Sequence, residues 1–344
     1  MQTNRSNNTL YEVVYVRLFL ITALVFYHAF AIFSGAWEPI SGYPKIQVYS
    51  VMDKLSYACL LETFVFISGY ILGYQVTKKG EEYIHTKCFI IKKIKRLLMP
   101  SILFSVLYIL MFDKGDWLAL PTIYEVLSGA GHMWFLPMLF WCFLFVYLFK
   151  RVKVSNRTLL IITPLLICLS ALPLPFRLES AMYFFPFFWG GYCVRKYNLN
   201  WSYKAKMVIP VIAVCFVLVF ILKLNLNAFY LVEGGALVKI INVTMTLFCR
   251  FLCAVFGIYL LMISALKLAK TKVGIKQMIL VQLSDCCFGV YIFQQFVLML
   301  VERTELSKNL SPYIYPWVTF LIALFMSLML TIFLRRTKVG SKIL

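Results

Sequence analysis

Residues 15–33, YVRLFLITALVFYHAFAIF, form an almost wholly apolar run that carries two nitrogen bases, Arg17 and His28. A helix needs about 20 such residues to cross the roughly 30 Å hydrocarbon core of a bilayer, so the run reads as a transmembrane helix. Runs of the same kind recur near 14–34, 55–76, 97–112, 133–149, 158–175, 181–194, 207–222, 240–266, 279–301 and 314–334, the sixth being short. The expectation is an all-α polytopic membrane bundle of about ten transmembrane helices, forming a single integral-membrane domain over 1–344. The polar start of the chain and the full-length first run predict no cleavable signal sequence, and no soluble domain is expected at either end.

Composition agrees. The chain is 62% hydrophobic and 14% charged, with mean hydropathy +0.84, whereas soluble domains run nearer half apolar and a quarter charged. A net charge of +20 would suggest a nucleic-acid partner for a soluble protein. Here the basic residues fall in short clusters between apolar runs, as loops beside a bilayer do, and no nucleic acid is expected. Among ten cysteines, Cys59, Cys142, Cys168, Cys215, Cys249 and Cys253 lie inside apolar segments, without CxxC or Cys/His spacing. They read as small apolar core residues, with no metal and no disulfide framework expected.

Ionisable groups in a bilayer are costly and mark function. His28 lies eleven positions after Arg17, an offset that on a helix returns to within about 20° of the same face over about 16 Å. The pair is either a functional face or a snorkelling arginine with an interfacial histidine. In TFVFISGYILG (63–73), Ser68, Gly69 and Gly73 have the spacing of close helix packing. Glu62, just before it, must be protonated, paired or wet, and Arg250 is the partner expected for it. In CFIIKKIKRLLMP (88–100), Lys92, Lys93, Lys95 and Arg96 suit either lipid head groups or the phosphates of a charged cofactor. In GHMWFLPMLFW (131–141), His132 falls at about the depth of His28, as a second proton-transferring imidazole or as an ordinary interfacial His beside Trp134.

Taken in order, Arg17 with His28, FVFISGY from Phe64, KKIKRLLMP from Lys92, HMWFLPMLF from His132, FFWGGYCVRK from Phe187 and SDCCFGVYIFQQF from Ser284 resemble the acyltransferase 3 family of integral-membrane O-acyltransferases. The resemblance covers nearly the whole chain. It implies transfer of an acyl group, commonly acetyl from acetyl-CoA, to a sugar hydroxyl of a cell-surface polysaccharide or its lipid-linked precursor, with no metal, in a bacterial cytoplasmic membrane. Arg17 and His28 fall on the family's paired essential positions. Many members carry a His late in the last motif, where this chain has Gln294 and then Gln295. An amide moves no proton at neutral pH, so proton transfer rests on His28 and His132. No secreted hydrolase-like domain is expected after the last helix.

On that reading Lys92, Lys93, Lys95 and Arg96 meet the CoA phosphates, Arg17 binds a phosphate or carbonyl of the arm, and the thioester reaches His28 over a floor of Ser68 and Gly69. Glu62, Trp134 and Gln294 complete the substrate path. A secondary transporter or a glycan or lipid flippase would share the composition, although no inverted sequence halves are visible.

Basic residues set the orientation. With the amino terminus inside, the alternate loops hold 24 Lys and Arg on the cytoplasmic side and 8 outside, with Arg17 and Arg250 in the spans. Both termini are then cytoplasmic. A cysteine introduced within 78–87 is expected to react with an impermeant thiol reagent only from the cytoplasmic face, and one within 303–311 only from outside; the opposite pattern at either site reverses the orientation.

Overall fold

The computed structural model describes residues 9–112, 119–199, 205–229, 236–270, 274–338 and 340–343. Among these the structure is helical, with no strand. Arg5, Lys114, Lys204 and Lys272, which entered the charge count, lie outside the described residues. The chain begins with α1 (Tyr11–Ser34), α2 (Gln47–Ser56), α3 (Leu60–Lys79), α4 (Glu82–His85) and α5 (Lys87–Lys93). A π-helical turn, Ile94–Leu98, leads into α6 (Met99–Phe112) and α7 (Leu120–Ser128); a 3₁₀ turn, Gly131–Trp134, leads into α8 (Phe135–Arg151). Then come α9 (Asn156–Leu169), α10 (Leu178–Lys196), α11 (Ala205–Phe229), α12 (Ala236–Ala269), α13 (Gly274–Glu302), α14 (Leu306–Asn309), α15 (Tyr315–Arg335) and α16 (Gly340–Ile343).

Local chemistry sets several ends. Gly35 closes α1 at φ 81°, a left-handed conformation that glycine adopts without Cβ strain. Thr86 and Ser155 cap α5 and α9 by accepting from the Phe89 and Thr158 amides, which satisfies amides that have no partner inside the helix.

Among the described residues eight helical segments, rather than about ten, are long and apolar enough to cross a membrane: Tyr11–Ser34, Gln47–Lys79, Lys87–Phe112, Gly131–Arg151, Met207–Leu226, Ile241–Ala269, Gln277–Glu302 and Tyr315–Arg335. The two expected spans that fall short are adjacent. The one near 158–175 is α9, whose 14 residues reach about 21 Å at 1.5 Å per residue, short of the hydrocarbon thickness. The one near 181–194 is α10, a 19-residue helix with Glu179, Arg195 and Lys196 near its ends and Pro186 inside. It is buried by aromatic side chains, Tyr183, Phe184, Phe185, Phe188 and Tyr192 among them, rather than by aliphatic ones. The chain is thus a polytopic helical membrane protein.

The fold resolves into two compact units. The first takes the described residues of 1–64 and 200–336. Here α1 packs on α2, α12, α13 and α15, and α11 lies along α12. In α13 two thirds of the apolar window is buried, in α11 only 6%, so α13 is an inner helix and α11 presents Val211, Val214 and Leu218 to lipid. The second unit takes Val65–Leu199 and the described part of 337–343. In it α8 packs on α10, on the π turn, on α4 and on α5, while α6 meets α7. The break falls inside α3.

Within the second unit α3 and α10 touch backbone to backbone. A Cβ on Gly69 would lie 1.9 Å from the Phe188 carbonyl oxygen, one on Gly73 2.5 Å from that of Tyr192, and one on Gly191 2.0 Å from that of Phe66. Small residues at a membrane-helix contact permit this approach. Gly69→Val is therefore expected to destabilise the fold by about 1–3 kcal/mol or more through overpacking, seen as a lower thermal midpoint in detergent. Gly190→Ala, whose added methyl meets nothing nearer than the Phe66 ring at 4.0 Å, should leave the midpoint unchanged; equal effects would show that the contact is not what holds these helices.

Candidate active site

The face of α1 that carries Arg17 and His28 is turned toward α13. His28 Nδ1 lies 2.9 Å from Gln294 Oε1, and Arg17 is close enough to Cys287 to act on it electrostatically. The two contacts advance together along both helices, so α1 and α13 run in the same direction, and the face predicted by helical spacing is one face in the structure. Gln294 is fully buried. With its carbonyl oxygen accepting from Nδ1–H, His28 is held as the tautomer whose Nε2 bears the lone pair. Trp37 stacks on the imidazole, with centroids 5.8 Å apart and planes at 18°. Trp37 was not among the residues singled out from the sequence; a tryptophan just past the helix-ending Gly35 is the signal by which it could have been found.

Glu62 and Arg250 meet as expected, Arg250 Nε donating to Glu62 Oε1 at 2.9 Å with Glu62 2% exposed. A carboxylate withdrawn from water needs such a partner. Lys223, which the charge count places in an outer loop, instead belongs to α11 and lies near both.

In the second unit His132 sits in a tight turn. Gly129 at φ 87° and Gly131 at φ 54° reverse the chain, and a Cβ on Gly131 would press 2.9 Å from the Tyr108 ring. Ser105 Oγ accepts from the Ala130 amide at 3.0 Å, which pins the turn to α6. His132 is buried there. Arg177, one of two consecutive non-glycine residues with left-handed backbone, donates from Nε to the Ser128 carbonyl at 3.4 Å and lies over the Trp134 ring at 6.0 Å. Strained backbone of this kind clusters at functional positions. Sequence spacing did not select Arg177, because only the fold brings it back beside Trp134.

The basic run straddles the start of the π turn, with Lys92 and Lys93 ending α5 and Lys95 and Arg96 inside the turn, a feature frequent at functional sites. Lys92, Lys95 and Arg96 are exposed and suited to a phosphate. Lys93 differs: its ammonium lies 3.7 Å from the centre of the Phe143 ring. Gly69 is filled by the Phe188 backbone, and Ser68 beside it is half-buried. At the end of α10, Lys196 donates to Glu81, and that hydrogen bond holds the Glu81 carboxyl below its ordinary value.

These residues sit within a match to the acyltransferase domain family that spans residues 10–336, and the chain belongs to that acyltransferase family. It is a membrane acyltransferase. Neither the curated proteins nor the solved structures gave a match.

Breaking a buried ion pair from one side leaves an uncompensated charge, at about 3–5 kcal/mol where burial is complete. Arg250→Met is expected to lower the thermal midpoint more than the double variant Glu62→Gln with Arg250→Met; additive losses in this double-mutant cycle would show the pair to be uncoupled.

Proposed function

We propose that this acyltransferase moves an acetyl group from acetyl-CoA to a sugar hydroxyl of a surface polysaccharide or its lipid-linked precursor, in a bacterial cytoplasmic membrane with both termini inside. The observation that carries the reading is the His28–Gln294 hydrogen bond at 2.9 Å, on the helix face that also bears Arg17. It leaves Nε2 free to act as a general base.

In the reaction the acceptor hydroxyl gives its proton to His28 Nε2 while its oxygen attacks the thioester carbonyl carbon. The C–S bond breaks as the C–O bond forms, and the departing CoA thiolate recovers the proton from the imidazolium. Arg17 supplies the planar multi-donor cation that binds a phosphate or carbonyl of the donor. Lys92, Lys95 and Arg96 hold the CoA phosphates. Gln294 fixes the tautomer and moves no proton itself. His132 with Trp134 is the second imidazole site and the alternative base.

Loss of a positioned general base typically costs about 10²–10⁴ in rate. With purified protein, radiolabelled acetyl-CoA and an acceptor glycan, His28→Ala is expected to lose transfer by that factor while still binding acetyl-CoA in calorimetry. Arg17→Lys should weaken donor binding, and Lys92→Gln with Lys95→Gln should raise the KM for acetyl-CoA with kcat nearly intact. Gln294→Leu should lower kcat less than His28→Ala does, since the base remains but its tautomer is no longer fixed. Retained transfer in His28→Ala would move the base to His132.

A further inference from the structure

Asp53, on α2, is fully buried, and neither carboxylate oxygen has a hydrogen-bond partner among the described residues. Ser34 stands close enough to the carboxyl to act on it. Ser34 turns its hydroxyl to the Ala31 carbonyl at 3.2 Å, and Ser56 donates to the main-chain oxygen of Asp53 at 2.7 Å. A carboxylate taken from water without donors is costly, so a group in this position is kept for something that donates to it.

Beside it lies a cavity of about 290 Å³, lined by Asp53 with Tyr27, Tyr57, Ser34, Lys54 and Lys223 and by Phe220. At about 30 Å³ per molecule of water, that is room for roughly ten waters, far more than a structural water site, and it approaches the lower end of small-molecule pockets. Tyr27 and Tyr57 stack at 4.1 Å to make an aromatic wall. One acidic and two basic side chains line the space, which disfavours a metal ion or an organic cation. A polyol fits, because its hydroxyls donate to a carboxylate and also accept from ammonium and phenol groups. Tyr27 is the residue before His28 on α1, and its ring lies 5.2 Å from the imidazole, while His28 itself does not line the cavity.

We propose that this cavity binds one sugar ring, with the two oxygens of Asp53 accepting hydrogen bonds from two adjacent ring hydroxyls, and so selects which sugar the protein holds. The inference rests on the acceptor being a sugar. It makes Asp53 a specificity-determining residue, separate from the proton transfer.

The test uses purified full-length protein in lipid nanodiscs, free of glycoside detergent, and measures saturation-transfer NMR with the methyl glycosides of glucose, galactose, mannose, rhamnose and N-acetylglucosamine. No acyl donor is present. At least one glycoside is expected to bind, with its adjacent-hydroxyl protons saturated most, and Asp53→Asn should weaken that binding about tenfold or more, as loss of charge-assisted hydrogen bonds does. Tyr57→Phe should weaken it less, and binding should persist in His28→Ala. Unchanged thermal midpoints in Asp53→Asn and Asp53→Ala separate lost binding from lost folding. Absence of binding by every glycoside, equal binding by Asp53→Asn, or displacement by methylammonium or calcium overturns the proposal. Acetyl transfer is assayed separately: glycoside binding through Asp53 without transfer defeats the transferase reading alone, and His28-dependent acetyl-CoA turnover without glycoside binding defeats the cavity alone.

Discussion

A polar group carried into hydrocarbon loses water and must find its hydrogen bonds within the protein. The contact between His28 and Gln294 is the instance on which the first unit depends, because it joins the only histidine of α1 to the inner helix α13. Paired in this way, the imidazole is oriented by a neutral partner. A carboxylate there would share the charge of an imidazolium, whereas an amide fixes the ring and leaves its charge to be decided by the reaction. Glu62 and Arg250 meet the same demand with an ion pair. Asp53 departs from the pattern with both carboxylate oxygens at once, and for that reason it stands out among the buried groups.

Much of the fold was legible because bilayer thickness converts directly into run length. The segments around α1, α8, α13 and α15 match their expected limits closely. The misreadings have definite causes. In α10 the apolar surface is aromatic and is turned onto α8 and α3, so a long apolar run in sequence served packing within the protein. The expected span at 55–76 begins earlier, at Gln47, with α2 and α3 separated by a break at Tyr57–Cys59. Across that break the Ala58 and Leu60 amides bond three residues back, to Leu55 and Tyr57, while hydropathy continues, and run length is blind to it.

The site was legible wherever it followed helical periodicity. Arg17 and His28 share a face because they share a helix. Glu62 and Arg250 could be paired because two lone opposite charges at similar depth have few other options. Gln294, in contrast, was read as a departure from the family pattern and as a residue for substrate, and its contact with His28 spans 266 positions that no repeat connects. Lys93 belongs to a run of four cations in the sequence, but it ends α5 just before the π turn and its ammonium lies over the Phe143 ring of α8, a contact between elements that the run does not show. Arg177 depends on left-handed backbone between α9 and α10, a geometry that residue type did not announce.

The backbone contact of α3 with α10 also fixes how these helices can move. Gly69 and Gly73 are one turn apart, and each accepts a carbonyl of α10. Sliding α3 by a turn would bring Gly73 to the place of Gly69 but would set Thr77 where Gly73 had been, against the Tyr192 carbonyl. A slip in the other direction would offer the side chain of Val65 to Phe188. Neither step has room. The pair therefore has a single register, and rearrangement within the second unit has to occur by tilting this two-helix block as one piece or by moving the helices around it, never by ratcheting one past the other.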